Sequence, residues 1–497
     1  MILRLRAGES ASRREADGPP GPRGSDTLRA RKRSTTMAEP HRSRATVTLI
    51  STVAATGGLL FGFDTGVISG ALPFLRDRWQ LGSGQIEALT TAVLVGAVLG
   101  SLLSGRVTDV LGRKKVMLGT AVVFLLGAIW TGLAGSPATL GAGRGVVGLA
   151  IGVASFATPL YIAEIAPTRR RGALVSLNQL MITIGILVSY AVDYALADNA
   201  NLDSWRWMFL AGAVPALVLF VGMLFLPETP RWLVAQGREA EGRAVLERVE
   251  DPDLVDEAVR KMKEDAAAES RYGGAVAEIL QPWLRTPLLI GIFIFFFQQF
   301  SGINTIIYYS PIIFQMAGFT DNAASIAPAV VVGTVNVLFT FVSIALLDRV
   351  GRRPLYLVGF SGLIVALLAL GLSFEFQAAL GAAAKWATVG SMLVFCAFFA
   401  MSLGPLGWLI ISEIYPLRVR GVGASIGSLS HWLWNAVVAY TFLTMVGAFG
   451  PARTFWLFAA VGVVGIVWGY HFIPETKGHT LEQVEEHWMR GGRPRAL

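Results

Sequence analysis

Twelve blocks of apolar residues run through the chain, at roughly 47–73, 86–106, 115–135, 138–163, 172–197, 206–226, 287–316, 326–347, 354–374, 384–411, 421–447 and 453–473. A helix needs about 20 apolar residues to cross the hydrocarbon core of a bilayer, and backbone inside lipid must satisfy its own hydrogen bonds. The blocks are continuous rather than striped, so they predict twelve transmembrane helices, spans 1–12, in an all-α membrane protein. Of the 497 residues 53% are apolar and only 15% charged, whereas a soluble domain carries about 25% charge. That deficit excludes a string of soluble domains, a disordered chain and a collagen-like repeat. Cys396 is the single cysteine and there are five histidines, which excludes an intrachain disulfide and a cysteine-based metal centre. No HExxH-type spacing occurs, so no metal site is expected.

The net charge of +8 is mostly a property of one end. Residues 1–46 hold eleven Lys or Arg against five acids. This stretch is Arg-, Pro- and Gly-rich without an apolar run, neither a signal peptide nor a folded domain. The basic balance therefore implies no nucleic-acid partner. Met37 opens a second, more ordinary start, MAEPHRSR; residues 1–36 are either an upstream extension or a disordered cytoplasmic tail. The expected organisation is the tail 1–46, a six-helix half 47–226, a charged helical linker 227–286, a second half 287–473 and a tail 474–497. Basic residues crowd the loops after even-numbered spans, as in Arg106, Arg113, Lys114 and Lys115, or Arg169, Arg170 and Arg171. The excess of Lys and Arg on cytoplasmic loops then puts both termini in the cytoplasm and the chain in the cell membrane.

The chain repeats itself. GRVTDVLGRKK (105–115) returns as LLDRVGRRP (346–354), YIAEIAPTRRRG (161–172) as LIISEIYPLRVRG (409–421), and LPETPRWL (226–233) as IPETKG (473–478). An offset of 249 residues separates Glu164 from Glu413 and Arg171 from Arg420; 247 separates Glu228 from Glu475, and 239 separates Asp109 from Asp348. Such spacing implies two parallel six-helix halves related by an axis along the membrane normal, with a binding site between them near mid-membrane. The repeated acids and bases stand at the inner ends of helices. Ion pairs between the halves, each worth ~0.2–1 kcal/mol when half exposed, would hold the inner side shut and release it as the halves rock. The candidate gate is Asp109, Arg113, Glu164, Arg171, Glu228, Arg231, Asp348, Arg352, Glu413, Arg420 and Glu475. Ordinary positive-inside topology with local pairing is the other reading of these residues.

Inside the membrane, Asp64 sits in LLFGFDTGVISGA of span 1. A carboxylate there costs ~2.5–3.5 kcal/mol and is a functional hypothesis by default. Arg144 of span 4 is the cation of the first half that can answer it. Protonation would neutralise Asp64 and deprotonation would pair it with Arg144, a proton switch; a static structural bridge is the alternative. Gln298, Gln299 and Asn304 lie in span 7, where amides must face protein or a cavity. An ideal helix cannot aim all three at one ligand, but Ser301-Gly302 offers a break. Amides both donate and accept, which suits a hydroxyl-bearing ligand.

The GRK and GRR loops, the PETPR and PETKG units and QQFSGINTIIYYSP (298–311) together resemble the sugar porter family of the major facilitator superfamily. The match runs from about residue 46 to 490. The stretch 441–461 is most similar to bacterial galactose and arabinose proton symporters, and spans 10 and 11 also resemble the xylose symporter. The resemblance implies the major facilitator fold and further sugar ligands: Phe61, Gln179, Asn336, Trp408, Trp432 and Asn435. It also implies symport, because proton-coupled members carry Asp at the position of Asp64 where uniporting relatives commonly carry Asn. His431 departs from the family pattern of Asn or Gln, and it bears on sugar preference or pH dependence.

The expected function is a proton-coupled monosaccharide symporter, for a hexose or pentose, working by alternating access as a monomer in the bilayer. Protons are the coupling ion and no cofactor is expected. A uniporter of the same fold is the first alternative and a non-transporting sugar sensor the second. No nucleophile–base set stands in the membrane and no GxxxxGK[ST] loop is present, so neither an enzyme nor direct ATP drive is supported.

Overall fold

The computed structural model describes residues 41–167, 170–271, 278–416 and 419–497; the side chains of 41–44, 268–271 and 348 are outside that description. Most of the basic tail, Arg169, Arg418 and the carboxylate of Asp348 therefore fall outside the described residues. Twelve helices among the described residues are long and apolar enough to span a bilayer: Ala45–Trp79, Ser83–Leu111, Arg113–Gly132, Pro137–Ile165, Arg171–Leu196, Trp205–Phe225, Pro282–Met316, Asn322–Leu347, Arg352–Glu375, Ala383–Glu413, Arg420–Phe449 and Pro451–Phe472. These are spans 1–12, within a few residues of the expected bounds. Leu126, Val218, Val365 and Val463 are large, apolar and exposed, as side chains that meet lipid should be.

The two halves pack alike. Span 1 packs on span 5, span 2 on span 4, span 3 on spans 4 and 6. In the second half span 7 packs on span 11, span 8 on span 10, span 9 on spans 10 and 12. The halves meet where span 2 lies on span 11, span 5 on span 8, and the second part of span 7 on span 1. Close approach within the first half rests on small residues. A methyl at Gly62 would fall 1.9 Å from the Ile182 carbonyl oxygen, and one at Gly148 equally close to that of Val93.

Not all spans are continuous. Span 7 is two helices, Arg285–Phe300 and Ile303–Met316, with Gly302 between them at φ 90°. Span 10 breaks likewise at Ser402, into Ala383–Met401 and Leu403–Glu413. The helices before Pro167 and Pro416 end at Ile165 and Glu413, as a proline without an amide donor favours. Between the halves run short helices Pro230–Ala235, Glu239–Val249 and Val255–Arg271, whose acids and bases pair at the surface, Arg238 with Glu241 at 2.6 Å. Below, the end of the molecule bearing the loops after even-numbered spans is the even-loop end, and the other the odd-loop end.

Candidate functional site

Span 1 carries Asp64 into the first half, where it is 4% exposed, and span 4 carries Arg144, 1% exposed. Arg144 Nη1 donates to Asp64 Oδ1 at 2.6 Å. The guanidinium lies 5.5 Å from the Phe209 ring centroid, while its Nε and Nη2 are buried without a protein partner among the described residues. The cation therefore depends on one carboxylate. Burying two charges is repaid only when the pair is well made, so the state of Asp64 decides whether Arg144 is tolerable where it stands. A cavity of about 10 Å³, lined by Asp64, Thr131, Phe209 and Gly212 among others, adjoins the acid.

Across from this pair stands an amide cluster. The break at Gly302 brings Asn304 back to Gln299, which an unbroken helix would hold on another face: Asn304 Nδ2 donates to Gln299 Oε1 at 2.5 Å. Gln299 Nε2 lies 3.0 Å from His431 Nδ1 and 3.2 Å from Gln298 Oε1. Gln298 in turn donates to the Leu403 carbonyl at 2.7 Å, beside the break in span 10. His431 thus bridges span 11 to both glutamines of span 7, filling the role an amide would play. Its ring contacts Trp408 and Trp432, each at 5.1 Å. Phe61 meets Trp432 at 5.1 Å across the halves.

Asn435 Nδ2 donates to the Tyr308 hydroxyl at 3.0 Å, and Asn435 Oδ1 and Trp432 Nε1 are buried with no hydrogen-bond partner among the described residues. Gln179 is half-buried in span 5 and Asn336 buried in span 8. Among the described residues no hydrogen bond ties their side chains to the cluster. Tyr308 is the member that sequence reading did not single out. It stands four residues after Asn304, hence on the same face of the half-helix, and within electrostatic reach of Asp64 and Arg144.

At the even-loop end the repeated motifs build the same device twice. Gly112 and Gly351, at φ 89° and 99°, turn the chain into spans 3 and 9. Glu228 then accepts the amides of Arg113 at 3.0 Å and Lys114 at 3.1 Å, and Glu475 those of Arg352 at 3.0 Å and Arg353 at 3.2 Å. A carboxylate there satisfies open amides and the positive helix end. The side chain of Arg113 reaches Glu164 at 3.0 Å and Asp109 at 3.4 Å; that of Arg352 grips Glu413 at 2.7 and 3.1 Å. Thr229 and Thr476 donate to Glu164 and Glu413 at 2.6 and 2.5 Å.

This corrects one expectation. The ion pairs Arg113–Glu164 and Arg352–Glu413 lie within a half, not between halves, because each acid ends its helix beside the turn of its own repeat. Among the described residues no ion pair joins Arg171 or Arg420 to these acids, which Arg113 and Arg352 hold instead. Arg171 is exposed. Arg420 bonds the Tyr415 carbonyl at 3.3 Å and is electrostatically coupled to Glu482, Arg231 and Glu485. Arg231 also feels Glu164.

Three comparisons bear on this arrangement. The family model "Sugar (and other) transporter" matches residues 50–488. The chain is 38% identical to the galactose-proton symporter of Escherichia coli (strain K12), over 92% of this chain and 97% of the relative. It is 39% identical to the glucose transporter GlcP of Staphylococcus epidermidis, over 88% and 96%. In structure it resembles the proton:xylose symporter XylE of E. coli bound to 6-bromo-6-deoxy-D-glucose, at TM-score 0.77 and 31% identity, covering 90% of this chain and all of that one. These relatives are transporters and not enzymes. With its twelve helices in two like halves, the chain belongs to the sugar transporter family of the major facilitator superfamily.

Proposed function

We propose that this protein imports a monosaccharide, hexose or pentose, together with protons, by alternating access across the cell membrane, with both termini and the even-loop end in the cytoplasm. It works as a monomer, needs no cofactor, and is organised as the two halves 47–226 and 287–473 joined by the linker 227–286. The observation that carries this reading is the buried Asp64–Arg144 pair of the first half together with an amide and indole cluster of the second half, which Phe61 meets across the halves. Gln298, Gln299, Asn304, His431 and Asn435, with Gln179 and Asn336 on the facing and flanking helices, present donors and acceptors for hydroxyls. Phe61, Trp408 and Trp432 offer flat faces for the apolar side of a sugar ring. The relatives named for galactose with protons, and for xylose with protons, support the coupling.

In this scheme the proton neutralises Asp64 and loosens Arg144, and Tyr308 and Asn435 pass that change to the sugar. At the even-loop end the Arg113–Glu164 and Arg352–Glu413 pairs, with Asp109, Glu228, Arg231, Glu475 and Arg420, stiffen each half as a unit. Arg171 and Asp348 complete the proposed set. The test is uptake into proteoliposomes of the full chain. A pH gradient should drive sugar above its bath concentration, and Asp64→Asn should leave only equilibration. Equal uptake with and without the gradient in the native protein would refute coupling.

A further inference from the structure

Alternating access, on which this inference rests, requires that contacts joining the halves at the odd-loop end break and re-form. Two of them are amide–carboxylate bonds near the surface: Asn322 to Asp77 at 3.0 Å and Asn199 to Asp321 at 3.1 Å. A third is of another kind. Glu87, near the start of span 2, is 1% exposed. Its Oε1 accepts the main-chain amide of Thr444 at 2.7 Å and its Oε2 the Thr444 hydroxyl at 2.6 Å. Thr444 lies inside span 11, in the opposite half.

A mid-helix amide ordinarily bonds the carbonyl four residues before it, here that of Tyr440. Here it also reaches a carboxylate on the facing half, and bonds to an ionised acceptor are about twice as strong as neutral ones. Both partners have somewhere to go when the halves part. The Thr444 amide has the ladder of its own helix, and Glu87 can take water from the open mouth. A contact with good alternatives on both sides is suited to switching, whereas a buried bond without alternatives would lock one state. Tyr309 stands near the contact. It is electrostatically coupled to Glu87, donates to the Ala439 carbonyl at 2.7 Å, and follows Tyr308 directly on the second helix of span 7.

We propose that Glu87 is the latch of the odd-loop gate: it closes that side by holding the Thr444 amide and hydroxyl across the halves, and its release sets how often the side opens. The experiment uses the full chain in proteoliposomes with a reporter, Ser325→Cys. Ser325 is buried in the first turn of span 8, one turn from Asn322. The native Cys396 is fully buried, so background labelling by a membrane-impermeant maleimide is measured in the native protein and subtracted. Glu87→Gln replaces a charged acceptor by a neutral amide, which predicts a rise of roughly tenfold in reporter labelling rate, the loss of about one charge-assisted bond. Thr444→Val removes the hydroxyl while keeping the main-chain amide, and a smaller rise, about fivefold, is expected.

Only folded protein recovered by gel filtration is compared, so a merely structural role would lower yield without changing the rate. Should Glu87→Gln not fold, Thr444→Val decides alone. Rates equal to the reporter background in the folded variants overturn the latch. A separate control isolates the underlying reading. Saturating D-galactose, D-glucose, D-xylose and L-arabinose, supplied together, must change labelling of the reporter in otherwise native protein. If they do not, alternating access itself fails; if they do and the variants behave as native, only the latch fails.

Discussion

Replacing Asp64 by Asn separates two consequences of one carboxylate. The first is energetic coupling. A proton crossing 100 mV supplies ~2.3 kcal/mol, and ~1.4 kcal/mol is a tenfold ratio, so one coupled proton sustains roughly 50-fold accumulation of sugar. With Asn the ratio should fall to one, while exchange of sugar across the membrane persists. The second consequence is stability. Arg144 is 1% exposed and its charge has a 2.6 Å partner in Asp64. Removing one member of such a pair costs ~3–5 kcal/mol, and the contact with Phe209, already present in the native protein, does not replace the lost carboxylate. Adding Arg144→Gln to the Asn variant removes the stranded charge and should recover most of the loss, without restoring accumulation. Thermal unfolding of the purified protein in detergent, beside uptake in proteoliposomes, measures both. Accumulation by the Asn variant would refute the coupling argument. A double variant no more stable than the single one would refute the buried-charge argument.

Three further perturbations follow from the geometry. His431→Asn keeps a donor and an acceptor for Gln298 and Gln299 but loses the ring contacts to Trp408 and Trp432; competition among labelled sugars should show a changed order of preference, and an unchanged order would dispose of a selective role. Gly302→Ala forces a side chain to φ 90° and sets its methyl 3.3 Å from the Phe458 ring, a backbone cost of roughly 1–2 kcal/mol; the break should shift and sugar binding, read by tryptophan fluorescence, should weaken more than stability does. Glu228→Gln and Glu475→Gln each weaken one helix cap, worth about 0.5–2 kcal/mol; similar drops in unfolding temperature are expected for the two, and a tolerant site paired with an intolerant one would contradict the repeated construction.

The spans, the break at Gly302 and the doubled motifs were legible because each is local. Block length, a glycine inside an apolar run and a repeated string of acids and bases are properties of contiguous residues. Partner choice was not legible in the same way. Spacing placed Arg171 seven residues after Glu164, yet the acid pairs with Arg113, which arrives from the turn between spans 2 and 3. Only the packing of span 4 between spans 2 and 3 decides that. Tyr308 was hidden for another reason: among aromatic and apolar neighbours a tyrosine reads as core, and its bond to Asn435 joins residues more than a hundred positions apart. The break at Ser402 had no glycine at φ > 0 to announce it, and the Glu87–Thr444 bond links the two halves of the sequence without any motif.

A division of labour follows from where the bonds lie. Within each half, the polar contacts at the even-loop end join one turn, one helix end and one acid, and each is matched by its repeat: Arg113 with Arg352, Glu164 with Glu413, Glu228 with Glu475, Thr229 with Thr476. These contacts do not stretch when one half tilts against the other, so they cost nothing to carry through a cycle. Between the halves lie the Glu87–Thr444 bond, the Asn322–Asp77 bond and the Phe61–Trp432 ring contact, each small enough to exchange for water or for sugar. Rigid halves joined by exchangeable contacts form a two-state body. In such a body a proton at Asp64 need not move the sugar directly. It need only change the relative energy of two packings by a few kcal/mol, and the Asp64–Arg144 pair, with ~3–5 kcal/mol at stake in a broken partner, is of the right size to do so.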